Sequence, residues 1–283
     1  MSSAKLREII MDITELKKTA LNIRKQIINL TADKGVGHTG GSLSETDILT
    51  TLYFEIMNVD PEYPKMENRD RFILSKGHST PGFYSTLAER GFFPKKNLNE
   101  FDEIGSMLQG HPCMHKTPGV DMSSGSLGQG VSVGIGMSLA KEKFGLDFKT
   151  FVLMGDGEQA EGQIWEAAMY AGANKVKDLI GIVDYNKVQL CGTVSDILEV
   201  GPLNEKWKAF GWQVLECDGH NLQELVSYLN KAKELSDNGP VVLIAHTVKG
   251  KGVSFMENKF QWHGKAPNEE ERQKALRELG SNQ

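Results

Sequence analysis

Apolar positions along this chain follow two alternating rhythms. Over residues 5–30 they fall at helical spacing, with Leu6, Ile9, Ile10, Ile13, Leu16, Ala20, Ile23, Ile27, Ile28 and Leu30 on one stripe. The pattern predicts an amphipathic helix, a glycine-rich loop over residues 35–42, and a second helix capped at Ser44-Glu45-Thr46-Asp47 that runs to about Met57. Short continuous apolar runs predict buried strands over residues 71–75, 150–154, 179–183, 212–216 and 241–245. Between them the helical rhythm returns over residues 83–90, 128–143, 161–174, 203–210 and 221–235, and a polar terminal helix is expected from Glu269. Strands alternating with helices predict an α/β fold: a doubly wound parallel sheet with helices on both faces. A single domain over residues 1–283 accommodates the pattern, and no internal repeat interrupts it.

Parallel strands end at one edge of a sheet, where ligands collect. Two of the predicted strands deliver polar residues there. The run ending at Met154 leads into Gly155-Asp156-Gly157, and the next run leads to Asn186. Magnesium takes about six oxygens, usually one or two carboxylates, neutral oxygens, water and phosphate oxygens of a ligand. Asp156 offers the carboxylate, Asn186 a side-chain carbonyl, and Val188 a backbone carbonyl if the chain turns after Asn186. Gly157 permits close backbone approach and sits near a helix start, where anions are favoured. Gly-Asp-Gly is also an ordinary turn after a strand. The matched strand and Asn186 favour a metal-held diphosphate.

Composition narrows the classes. A net charge of −5 over 283 residues, with no dense Lys/Arg block, argues against a nucleic-acid or membrane partner. Cys113, Cys191 and Cys217 lack C-x-x-C spacing, so neither a disulfide framework nor a zinc site is indicated. No apolar stretch approaches the roughly 20 residues of a membrane span, and the first residues lack the form of a signal peptide. The expectation is a cytoplasmic protein. Residues 105–125 form a long segment without periodicity, rich in Gly, Pro, His, Met and Ser, which suits a functional loop. Gly128-Gln129-Gly130 lacks the third glycine of a dinucleotide fingerprint. Five of seven histidines, His38, His78, His111, His246 and His263, stand in glycine-rich or strand-end contexts. That placement suits proton exchange and polar substrate binding, not a metal cluster. His115 and His220 read as structural.

With these motifs in hand, the chain closely resembles the thiamine-diphosphate-binding N-terminal domain of transketolase over nearly its full length. The matching stretches begin at Gly37-His38-Thr39-Gly40-Gly41-Ser42-Leu43 and Asp70-Arg71-Phe72-Ile73-Leu74-Ser75-Lys76-Gly77-His78. They continue through Gly110-His111-Pro112, Gly125-Ser126-Leu127-Gly128-Gln129-Gly130, and Gly155-Asp156-Gly157 with Asn186-Lys187. They end at His246-Thr247-Val248-Lys249-Gly250-Lys251-Gly252 and His263-Gly264. Thr39 and Ser126 stand where proline is frequent in that family.

The resemblance implies that Asp156, Asn186 and the Val188 carbonyl hold Mg2+, or Ca2+ or Mn2+ in its place. It also implies that Gly157, His78 and His263 meet the diphosphate of thiamine diphosphate, and that Asn186 is among the cofactor-binding residues. Gly125 and Leu127 would face the cofactor's rings, with Leu190 as apolar support. His38, His111 and His263 would bind sugar hydroxyls and move protons, and Glu161 would lie between paired active sites. The implied reaction is ketol transfer from a ketose phosphate to an aldose acceptor. Common transketolases carry two further domains, which hold the cofactor-activating glutamate and the arginines that grip substrate phosphate. A chain ending at Gln283 is therefore expected to be the N-terminal subunit of a split enzyme, an α2β2 heterotetramer completed by a separate C-terminal subunit. The competing readings are an α subunit of a 2-oxo acid dehydrogenase, a deoxyxylulose-phosphate synthase, a transketolase for an unusual ketose, and a noncatalytic cofactor-binding remnant. The histidine loops suit a polyhydroxylated substrate and weigh against the first of these.

Overall fold

The computed structural model describes residues 12–281. Five strands form one all-parallel sheet: β1 (Arg71–Leu74), β2 (Thr150–Gly155), β3 (Leu179–Tyr185), β4 (Gln213–Asp218) and β5 (Val241–His246), in the spatial order β1-β2-β3-β5-β4. Successive side chains point to opposite faces, so each apolar run feeds two cores. Phe72, Leu74, Phe151, Leu153, Ile180, Ile182, Val241 and Leu243 face one layer. Ile73, Val152, Met154, Val183, Val242 and Ile244 face the other.

The first layer is built from α2 (Thr39–Thr51), α3 (Thr80–Arg90) and α8 (Leu222–Ser236), and α1 (Ile13–Lys34) packs on α2 and α3. The second contains α4 (Gln129–Phe144), α5 (Gly162–Ala173) and α7 (Leu203–Ala209). On α4 the small residues Gly130, Gly134 and Ser138 are buried as a close-packing face. A third, smaller core gathers Ile23, Ile27, Leu43, Val253, Met256 and Trp262 beneath α9 (Glu269–Ser281). This is the doubly wound α/β arrangement with helices on both faces. Among the described residues no helix is long and apolar enough to cross a membrane.

Several boundaries differ from the sequence pattern. Of the helix expected over residues 5–30, residues 5–11 lie outside the described residues; the described helix extends to Lys34, where Gly35 ends it in a left-handed conformation at φ 64°. The expected loop over residues 35–42 is helical from Thr39, with His38 at the N-cap and Thr39 to Ser42 buried. Packing overrides glycine's poor helix propensity here. A Cβ on Gly40 would stand 2.7 Å from the Trp262 carbonyl oxygen, so only glycine lets this helix start lie against that backbone. Ser44 to Asp47, expected as caps, are therefore buried inside α2. A short helix, α6 (Val194–Ile197), also appears after β3, with the Thr193 side chain accepting from the Asp196 amide at 3.2 Å.

Candidate active site at the carboxyl edge of the sheet

The carboxyl ends of β1, β2, β3 and β5 open into a cleft of about 450 Å3. All the residues singled out for catalysis, cofactor and metal line it: His38, His78, His111, Gly125, Leu127, Asp156, Gly157, Glu161, Asn186, Val188, Leu190 and His263. They come from segments far apart in sequence, brought together because parallel strands finish at one edge.

One wall carries the candidate metal oxygens. Asp156 is buried, with Oδ1 accepting from the Gly157 amide at 2.7 Å and Oδ2 from the Lys187 amide. Asn186 Oδ1 accepts from the Val188 amide at 3.1 Å. The Val188 carbonyl accepts from the Lys249 ammonium at 2.7 Å. Lys187, at φ 65°, turns the chain so that Val188 bridges back to Thr193. Burial pushes the Asp156 carboxyl up, as does the nearby Asp184 charge. A cation would favour its ionised form. Among the described residues no three His, Cys, Asp or Glu side chains converge on a metal. The oxygens present, one carboxylate with neutral carbonyls, fit a magnesium ion whose shell is completed by water and a phosphate-bearing ligand.

Joined to this wall through Lys249 is a histidine cluster. The rings of His38 and His78 lie 4.8 Å apart, those of His38 and His263 5.4 Å, and those of His78 and His263 5.1 Å between centroids. Burial lowers all three. The His111 and Lys249 charges also lower His38, while neighbouring histidines and lysines help push His78 to about 2 and His263 to about 3. Neutral imidazoles result, each with one donor and one acceptor. Lys249 Nζ lies 2.8 Å from His263 Nδ1. An ammonium only donates, so Nδ1 accepts and the His263 proton sits on Nε2. His111 reaches the cleft from the irregular segment after α3, which is pinned by Tyr84 Oη donating to the Gln109 carbonyl at 2.9 Å and Thr80 Oγ1 to the Gly110 carbonyl at 3.0 Å.

Several groups escaped the sequence reading. Lys249 is buried and lines the cleft; burial lowers it against the pull of Asp156. Below, Lys76 Nζ lies 2.7 Å from Glu45 Oε2 and 2.6 Å from Asp184 Oδ2. Asp184 also accepts from Ser44 Oγ at 2.6 Å, from Asn186 Nδ2 at 3.1 Å and from Thr247 Oγ1. Burial opposes its ionisation, but Lys76 and these donors hold it below the usual carboxylate range. Glu158 accepts from the Gly128 amide at 2.8 Å, the Gly155 amide at 2.9 Å and the Ser75 hydroxyl. An acid within the apolar run of β3 was the available signal for Asp184. His246, whose strand-end context resembles that of His78, lies outside this cleft, exposed and 3.0 Å from Glu216 Oε2. His115 is exposed, and His220 bonds to Asp47 outside the cleft.

The family model for the transketolase thiamine diphosphate binding domain matches residues 16–283. The chain belongs to the transketolase family. It is 45% identical to an apulose-4-phosphate transketolase subunit from Actinobacillus succinogenes, over 94% of this chain and 96% of that one. It is 44% identical to the 6-deoxy-6-sulfo-D-fructose transketolase subunit SqwG of a Clostridium species, again covering 94% of this chain and 96% of the relative. The transketolase of Pichia stipitis solved with sedoheptulose 7-phosphate superposes with a TM-score of 0.89 at 27% identity. That likeness covers 94% of this chain and 40% of the Pichia chain. Transketolase relatives thus include both long chains and subunits of about this chain's length.

Proposed function

We propose that this chain is the N-terminal subunit of a split transketolase, a single cytoplasmic domain that binds thiamine diphosphate with Mg2+ and acts with a separate C-terminal subunit in an α2β2 assembly. The subunit relatives, each covered over almost their whole length, support the division of labour. The observation that carries the reading is a pair of unmet demands in the cleft. Lys249 is a buried ammonium whose acceptors are a carbonyl and an imidazole, while Asp156 is a buried carboxyl beside two neutral oxygens. A diphosphate with its cation supplies the anion for one and the cation for the other.

Asp156, Asn186 Oδ1 and the Val188 carbonyl would hold the metal. Lys249, His78, His263 and the Gly157 amide would donate to phosphate oxygens. Thiamine diphosphate, when bound, supplies the nucleophilic carbon and electron sink needed to break a carbon–carbon bond. Gly125, Leu127 and Leu190 would border its rings and exclude water. His38, His111 and His263, held neutral by burial or standing at the cleft wall, would hydrogen-bond sugar hydroxyls and exchange their protons. Glu161, on the exposed rim, would face the neighbouring active site. The glutamate that activates the aminopyrimidine and the arginines for substrate phosphate would come from the partner.

The names of the relatives favour a second reading of the donor, a branched or sulfonated ketose in place of xylulose 5-phosphate. The test is ketol transfer to an aldose phosphate, with cofactor and magnesium, by the chain alone and with its C-terminal partner. Activity only in the mixture is expected. Normal activity of the chain alone would overturn the split, and a mixture that forms a complex but uses only an unusual ketose would select the second donor.

A further inference from the structure

Asp218-Gly219-His220, at the end of β4, lies away from the cleft, yet its contacts lead into it. His220 Nδ1 is 2.8 Å from Asp47 Oδ2, and the Val248 amide donates to His220 Nε2 at 2.8 Å. Asp47 is gripped by both terminal nitrogens of Arg24, at 2.9 and 2.6 Å, and is held down to about 2 by that guanidinium and by His220 despite its burial. An ionised carboxylate only accepts and a backbone amide only donates. Both partners therefore demand one tautomer of His220, with the proton on Nδ1 and Nε2 bare.

The amide so captured belongs to the residue before Lys249. The turn it opens is fixed at a second point, where the Gly250 amide donates to the Gly40 carbonyl at 3.0 Å. Gly219 brings the two segments together. Its amide donates to the His246 carbonyl at 2.8 Å, and a Cβ there would stand 2.5 Å from Thr247 Cγ2. We propose that His220 is a positioning residue for Lys249: the chain Arg24, Asp47, His220 and Val248 N–H sets the backbone from which the Lys249 ammonium enters the cleft, and so tunes its grip on an anionic ligand. This rests on the reading of Lys249 as a diphosphate ligand.

Two measurements on the cofactor-free full chain test the linkage itself. Ring 15N shifts of His220 at neutral pH should show Nδ1 protonated and Nε2 bare; an Nε2-protonated or doubly protonated ring overturns the proposal. The Val248 amide should exchange slowly. In His220→Ala it should exchange faster and the Lys249 Cε resonance should move, with both restored in His220→Gln, whose amide offers one donor and one acceptor. An unmoved Lys249 signal overturns it. With Mg2+ and thiamine diphosphate as the calorimetric probe, His220→Ala should weaken binding about tenfold, the order of one lost supporting hydrogen bond, and His220→Gln should recover most of it. In a Lys249→Met background His220→Ala should cost nothing more, and an equal loss in both backgrounds overturns the proposal. A parent chain that binds no thiamine diphosphate even when assembled with its C-terminal subunit refutes the ligand reading, while the tautomer and Lys249 signals still decide the linkage.

Discussion

Lys76 and Lys249 both line the cleft, and both are almost wholly buried, but they live on different terms. Lys76 lies between two carboxylates, Glu45 and Asp184, whose remaining contacts include hydroxyls and an amide. Lys249 has a backbone carbonyl and an imidazole nitrogen and, among the described residues, no carboxylate within hydrogen-bonding distance. The first ammonium is raised by its partners and the second is lowered by burial. A buried charge without its counter-charge costs free energy, so a fold retains one where something else will supply the match. The difference separates a floor whose charges are matched within the fold from walls whose charges await a match.

Removing charge from the floor should produce the largest effect. Asp184→Asn leaves Lys76 half-paired in a dry site and should destabilise the fold by about 3 to 5 kcal/mol, read by denaturant unfolding. An unchanged midpoint would erase the distinction. On the wall the prediction reverses. Asp156→Asn should change the stability of the cofactor-free protein little, because relief of the buried carboxyl offsets the loss of one of the two amide hydrogen bonds it accepts. Its magnesium-dependent thiamine diphosphate affinity should fall by about 100-fold or more, since losing even a partner that only supports a metal ligand costs about 10- to 100-fold. Lys249→Met should likewise keep or raise the unfolding temperature while weakening the cofactor about tenfold, the order of one charge-assisted hydrogen bond. A loss of stability as large as that of Asp184→Asn in either wall variant would place those residues with the floor.

The smallest effect is a pH dependence. His78 is depressed from 6.5 to about 2, so its contribution to stability is full above pH 6.5 and is lost as pH falls toward 2. Glu45, raised from 4.5 to about 7, works the other way: its contribution is full below pH 4.5 and is lost as pH rises through 7. The two offset each other in the parent chain. With His78 gone the Glu45 slope is unopposed, so His78→Asn should make the unfolding midpoint rise relative to the parent as pH is lowered from 6 to 4. An unchanged slope would show that His78 is not held neutral.

The walls were more legible in the sequence than the floor. Gly155-Asp156-Gly157 and Asn186 stand at the ends of strands that periodicity alone locates, so their convergence follows from parallel topology. Lys76, Glu45 and Asp184 meet across three elements, and no spacing announces a three-body ion cluster. His246 and His78 illustrate the limit, since both follow strands and only one enters the cleft. The helical start at Thr39 was hidden because its warrant is the Trp262 carbonyl, far along the chain, while the local glycines argue for a loop.

Glu158 has a consequence for ligand capture. One carboxylate joins the Gly128 amide, the Gly155 amide and the Ser75 hydroxyl, and so clamps the loop before α4 to the loop after β2. The spacing between these two loops is set before anything binds. Little freedom is then left for this half to surrender on capture, so a ligand entering the cleft meets these two loops already ordered.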